Sequence, residues 1–171
     1  MELPEGISEE SPFFNLLPQV EQKIIGLLSK GLTQKEIAVM EGVTQGAVSS
    51  RLYRSLKRLR YLKQLHGYDL EKMEQDLSTF LSPLNVAVIK TMIQTSCQTD
   101  TAEIVNGLFN LQGQWRLNQM KVRHRFHKAY KVLVDKAKEN PSYVSWIEVM
   151  DLVKNHLYFR HEIVLPHYYR G

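Results

Sequence analysis

The chain has 171 residues, 43% hydrophobic and 23% charged, with a formal net charge of +4. That composition suits one or two small globular domains and excludes a disordered, low-complexity polymer. A single cysteine, Cys97, excludes an intrachain disulfide and a zinc site built on several thiolates, and no apolar run approaches the ~20 residues of a membrane span.

Residues 1–16 form an acidic arm with Glu2, Glu5, Glu9 and Glu10 and no Lys or Arg. They lack the charged-then-apolar pattern of a leader, so a reducing, cytoplasmic setting without membrane contact is expected. From Leu17 the pattern turns helical. Pro18 suits a first turn, and Val20, Ile24, Ile25, Leu27 and Leu28 recur at helical spacing up to Gly31. Thr33 to Glu36 has the spacing of a capping box, followed by Ile37, Ala38 and Met40 on the expected core face. Gly42 marks a turn, and Thr44 is placed to cap a third helix.

In that third helix Val48, Leu52, Ser55, Leu56 and Leu59 fall on one stripe. Gly46, Ser50, Tyr53, Arg54 and Lys57 fall opposite, with Ser49, Arg51 and Arg58 on the flanks. Helix, capped helix, short glycine turn and capped basic helix make up the pattern of a helix-turn-helix, here spanning residues 17–65. Its third helix would enter the DNA major groove. Gln45, Gly46, Ser49, Ser50, Tyr53 and Arg54 are the candidates for base edges, and Thr33, Thr44, Arg51, Lys57 and Arg58 for phosphates. Gly46 would let the backbone come close to the duplex.

The run Gly46-Ala-Val-Ser-Ser-Arg-Leu-Tyr-Arg-Ser-Leu-Lys-Arg-Leu59 resembles the end of region 4 of extracytoplasmic-function sigma factors. Leu32 to Ala38 resembles the helix before it. LuxR-type response-regulator domains share the scaffold and match less well. The resemblance implies promoter DNA as a ligand and RNA polymerase as a second partner, in a bacterial or phage setting. A complete sigma factor carries a region 2 before region 4, and only 16 residues precede this module, so an autonomous sigma factor is not expected.

His66-Gly67-Tyr68 breaks the pattern, and residues 66–80 read as a helical linker with Leu70, Met73 and Leu77 on one face. Residues 81–138 then read as a diverged second copy. Leu81-Ser82-Pro83 opens an apolar helix, and Asp100-Thr101-Ala102-Glu103-Ile104 echoes the capped second helix. Asn118 stands where Thr44 did, and Val122, Phe126, Ala129 and Leu133 stand for Val48, Leu52, Ser55 and Leu59. An insertion around Phe109 and Trp115 separates the last two helices, and both aromatic rings are expected to pack. The candidates for DNA contact on this second helix are Gln119, Lys121, Arg123, His124, Arg125, His127 and Lys128.

Residues 139–171 read as a helix opened by Ser142, with Val144, Trp146, Val149, Met150 and Val153 among its apolar positions, then an aromatic tail. That helix is expected to pack on the second module or on a second copy of the chain as a homodimer. His156, His161 and His167 match no zinc spacing. Neither an oriented nucleophile nor a phosphate-binding loop is present, so no catalysis, cofactor or metal is expected.

The fold expected is therefore all-α: two helix-turn-helix domains joined by a helical linker, with a C-terminal helix. The function expected is sequence-specific binding of double-stranded DNA by a transcription regulator. Two alternatives remain open here: an RNA polymerase adaptor that imitates region 4, and a DNA-packaging subunit of the small-terminase kind.

Overall fold

The computed structural model describes residues 11–157. Every regular element among them is helical, and the chain divides into two compact units at His66 and Gly67.

The first unit holds α1 (Gln19–Ser29), α2 (Gln34–Glu41) and α3 (Gln45–Leu65). Leu17, Ile24, Ile25 and Leu28 meet Ile37 and Ala38 of α2 and Val48, Leu52 and Leu59 of α3 in one core. Two glycines end the first two helices. Gly31 (φ 97°) and Gly42 (φ 67°) take the left-handed conformation that L residues resist. Each lets the next amide turn back: Leu32 N–H donates to Leu27 O at 3.2 Å, and Val43 N–H to Ala38 O at 3.0 Å. The expected caps form. Thr33 Oγ1 accepts from Glu36 N–H at 3.1 Å, Glu36 returns a carboxylate oxygen to Thr33 N–H at 3.2 Å, and Thr44 Oγ1 accepts from Ala47 N–H at 3.0 Å.

Two expectations fail in this unit. Met40 does not face the core; it is exposed, as is its neighbour Val39. α2 has only two turns, and α1 and α3 already cover its Ile37 side. Nor is the acidic arm separate up to residue 16. Phe13 and Phe14 lean on the core through a 3-10 turn, Phe14–Leu16, and Phe13 meets the His66 ring edge-on at 5.6 Å. Residues 1–10 lie outside the described range.

The second unit holds α4 (Leu70–Leu77), α5 (Pro83–Thr95), α6 (Gln98–Leu108), α7 (Gln119–Glu139) and α8 (Val144–Asn155). Its α5, α6 and α7 pack on one another. The α7 register follows expectation: Val122, Phe126, Ala129 and Leu133 are buried, and Asn118 Oδ1 accepts from Lys121 N–H at 2.8 Å as the cap.

Four details differ from the expectation. The segment read as a linker is part of this unit: α4 buries Met73 and Leu77, and Asp76 accepts from the Trp146 indole N–H at 2.9 Å. Asp100 and Thr101 do not cap α6. The helix already begins at Gln98, and both residues are buried within it, where the Thr101 hydroxyl meets that of Thr95 at 3.0 Å. Ser142 does not open α8. It sits in a 3-10 turn, Pro141–Tyr143, whose cap is Asn140. Finally, Phe109 and Trp115 are exposed rather than packed.

The apolar stripe of α8 is covered within the unit, where Trp146, Val149, Met150 and Val153 are buried and the helix rests on α5 and α7. The aromatic tail from Tyr158, with His161 and His167, lies outside the described range. Among the described residues no helix is long and apolar enough to cross a membrane, and no group of three potential metal ligands converges.

Candidate nucleic-acid interface

α3 presents two faces with opposite chemistry. Its inner stripe, Val48, Leu52, Ser55 and Leu59, is buried, so the rotation of the helix about its own axis is fixed by packing. Gln45, Gly46, Ser49, Ser50 and Tyr53 are consequently exposed, and Arg51, Arg54 and Lys57 are half-buried at the edges. Thr44 is exposed and Thr33 half-buried. Lys57 Nζ stands 5.9 Å from the centre of the Tyr53 ring, so cation and aromatic face the same way.

Gly46 is not required by the protein's own packing. Its φ is not positive, and a Cβ there would meet only Thr44 Oγ1 at 3.8 Å. The bare backbone at the start of α3 therefore faces open space.

Arg58 departs from its expected role as a phosphate contact. It is 3% exposed, with its guanidinium carbon 5.3 Å from the centre of the buried Tyr61 ring. At 100° per residue Arg58 falls close to Leu65 and Tyr61 on the buried side of a helix that grows longer than its module's core. Its guanidinium therefore lies away from the exposed outer face of α3.

Beneath the outer face lies a group absent from the expectations. Glu21 of α1 is buried, and its carboxyl is hydrogen-bonded to the Ser55 hydroxyl, whose oxygen also lies 2.8 Å from Arg51 O; the single Ser55 O–H serves one of the two at a time. Burial pushes the Glu21 carboxyl up to about 7, against the opposing pull of the Ser55 hydroxyl and of Arg51, Arg58 and Arg54. The sequence did carry a signal. Glu21 stands four residues after Leu17 and four before Ile25, on the core stripe, and Ser55 is the polar member of the α3 stripe.

Residues 14–59 match the family model for sigma-70, region 4. They are a region 4-like helix-turn-helix module, and they coincide with α1, α2 and most of α3. Domains of this family bind DNA and RNA polymerase. No curated protein and no solved structure matches the chain.

The match ends before the second unit, whose basic helix is described by its own geometry. Gln119, Arg123, His124, His127 and Lys128 are exposed on α7. The Gln119 amide reaches Gln98 Oε1 at 3.3 Å. Two of the candidates are tied down. Lys121 Nζ donates to Gln114 O at 2.8 Å and Arg116 O at 3.2 Å, and Arg125, half-buried, donates to Asn85 Oδ1 at 2.9 Å. The region 4-like module turns between its last two helices in three residues, Gly42 to Thr44, whereas the second unit needs Phe109 to Asn118.

Proposed function

We propose that this chain is a sequence-specific, double-stranded DNA-binding regulator of transcription whose reader is α3 of the region 4-like module. The observation that carries it is the exposed polar start of α3, flanked by Arg51, Arg54 and Lys57 and locked in rotation by a buried stripe. A helix held that way presents Gln45, Ser49, Ser50 and Arg54 to base edges in the major groove, with Tyr53 beside them. Thr33, Thr44, Arg51 and Lys57 lie at the rim where phosphates would run. Arg58, being buried, has no part in it. On the second unit, Arg123, His124, His127 and Lys128 offer a further phosphate surface, with Gln119 at its N-terminal edge.

The test is selection of preferred sites from random duplexes, followed by titration of the chosen site at several salt concentrations. Changing Arg54 and Lys57 together to alanine should weaken binding by roughly tenfold or more and flatten the salt dependence. A chain that prefers no duplex over random DNA would overturn the proposal.

One observation favours a second role beside it. Val39, Met40 and Val43 are all exposed at the end of α2. Three apolar side chains left in water so close together suit a protein partner. RNA polymerase is the partner that region 4 domains share. Co-purification with polymerase that is lost on Val39→Asp with Met40→Asp would support this adaptor role.

A further inference from the structure

We propose that the second unit holds an unpaired nucleic-acid strand by stacking a base on Trp115. Trp115 is 71% exposed and its neighbour in the groove, Met120, is 77% exposed. A single exposed apolar side chain is ordinary, but two large ones sharing one groove form a patch of the kind that marks an interaction site. The backbone that carries the indole is nevertheless fixed. The buried Asn106 side chain donates to Leu117 O at 2.9 Å and accepts from Leu117 N–H at 2.7 Å. Lys121 Nζ holds the carbonyls of Gln114 and Arg116, and Gly113 (φ 59°) supplies the left-handed turn that a side chain would resist.

The surroundings define the occupant. Trp115 and Met120 share a groove of about 640 Å³ with Lys121, His124, Arg125 and Lys128, and no carboxylate lines it. That volume lies within the roughly 300–1,000 Å³ usual for ligand clefts. An occupant must bring several negative charges together with a flat apolar face. A nucleic-acid strand has both, since its phosphates repeat along the backbone and every base has a π-face. A duplex hides those faces by stacking them on one another, so only an unpaired strand can offer one to Trp115. An ammonium group has three N–H bonds, so Lys121 retains one for a phosphate while it holds the loop.

The inference stands on the second unit alone and does not depend on what α3 reads. The chain's two tryptophans make it testable by intrinsic fluorescence, because Trp146 is buried and serves as the constant background. The full-length protein is titrated with a mixed-sequence single-stranded oligonucleotide and, separately, with the duplex of the same sequence. The single strand should quench and shift the emission, and Trp115→Phe should remove that response. Trp115→Ala should weaken single-strand binding by about tenfold, in line with the loss of one stacked base, while thermal unfolding followed by circular dichroism stays unchanged. Duplex binding through α3 should be unaffected by Trp115→Ala and weakened in the Arg54, Lys57 double variant. The inference is overturned if Trp115→Ala holds the single strand as tightly as the native chain, or if the duplex quenches Trp115 as strongly as the single strand does.

Discussion

Glu21 shows how one residue ties stability to pH. A carboxyl with an ordinary value of 4.5 that rises to about 7 on folding keeps its proton longer in the folded module than in the unfolded chain. Folding then takes up a proton between those two values, so stability is greatest below about 4.5 and falls as the pH climbs toward 7. Replacing Glu21 with glutamine keeps a neutral partner for Ser55 and removes the cost of ionisation. The Glu21→Gln variant should therefore outlast the native chain in urea at pH 8, by at most about 3 kcal/mol, and the two should converge near pH 4.5. Equal midpoints at both pH values would show that the carboxyl is not desolvated. Gly46 offers a contrasting case, since nothing in the protein needs it to be glycine. Gly46→Ala should leave stability unchanged or raise it by up to about 1 kcal/mol, yet weaken duplex binding if backbone and DNA come close there. Chemical denaturation and a duplex titration on the same preparation separate the two effects.

At the scale of elements, the turns distinguish the two units more than the helices do. α3 and α7 each bury a stripe of the same spacing and are each capped by a polar side chain three residues ahead of the amide it receives. The first unit closes its turn with one left-handed glycine. The second crosses a longer gap, and Asn106 bonds both backbone groups of Leu117 to hold it. An asparagine in the last turn of a helix carries no pattern that distinguishes a buried clamp from a solvated side chain, so this role was not legible in the sequence. Truncating it to alanine would leave a buried N–H and a buried C=O unpaired. Asn106→Ala should cost about 2–3 kcal/mol and loosen the loop that carries Trp115. The first effect is measured by denaturation, and the second by the emission anisotropy of Trp115.

For the molecule as a whole, the division at His66 and Gly67 predicts two folding transitions. Both tryptophans belong to the second unit, whereas helical signal comes from both units. Unfolding followed by tryptophan emission should therefore differ from unfolding followed by far-ultraviolet circular dichroism, which a single cooperative transition would not allow. Adding a selected duplex should raise the transition that the tryptophans do not report, because a ligand stabilises the unit that binds it. Coincident curves would show that the two units unfold as one.

Local chemistry was legible where neighbours in sequence act on one another with a clear cap or glycine signal, though not at Asp100, Thr101 and Ser142, whose expected caps fell elsewhere. The two glycine turns, the Thr33 capping box, the Thr44 and Asn118 caps and the stripes of α3 and α7 all follow from spacing and residue type, and the resemblance to region 4 rested on that same stretch. Tertiary structure alone decided the rest. It turned Arg58 inward onto Tyr61, left Met40 and Trp115 in water, drew the supposed linker helix into the second unit and buried Glu21 beneath the helix proposed to read DNA. Each of those outcomes depends on what a distant element covers. Helical periodicity states which residues share a face, but only the packed partners determine which faces remain in water.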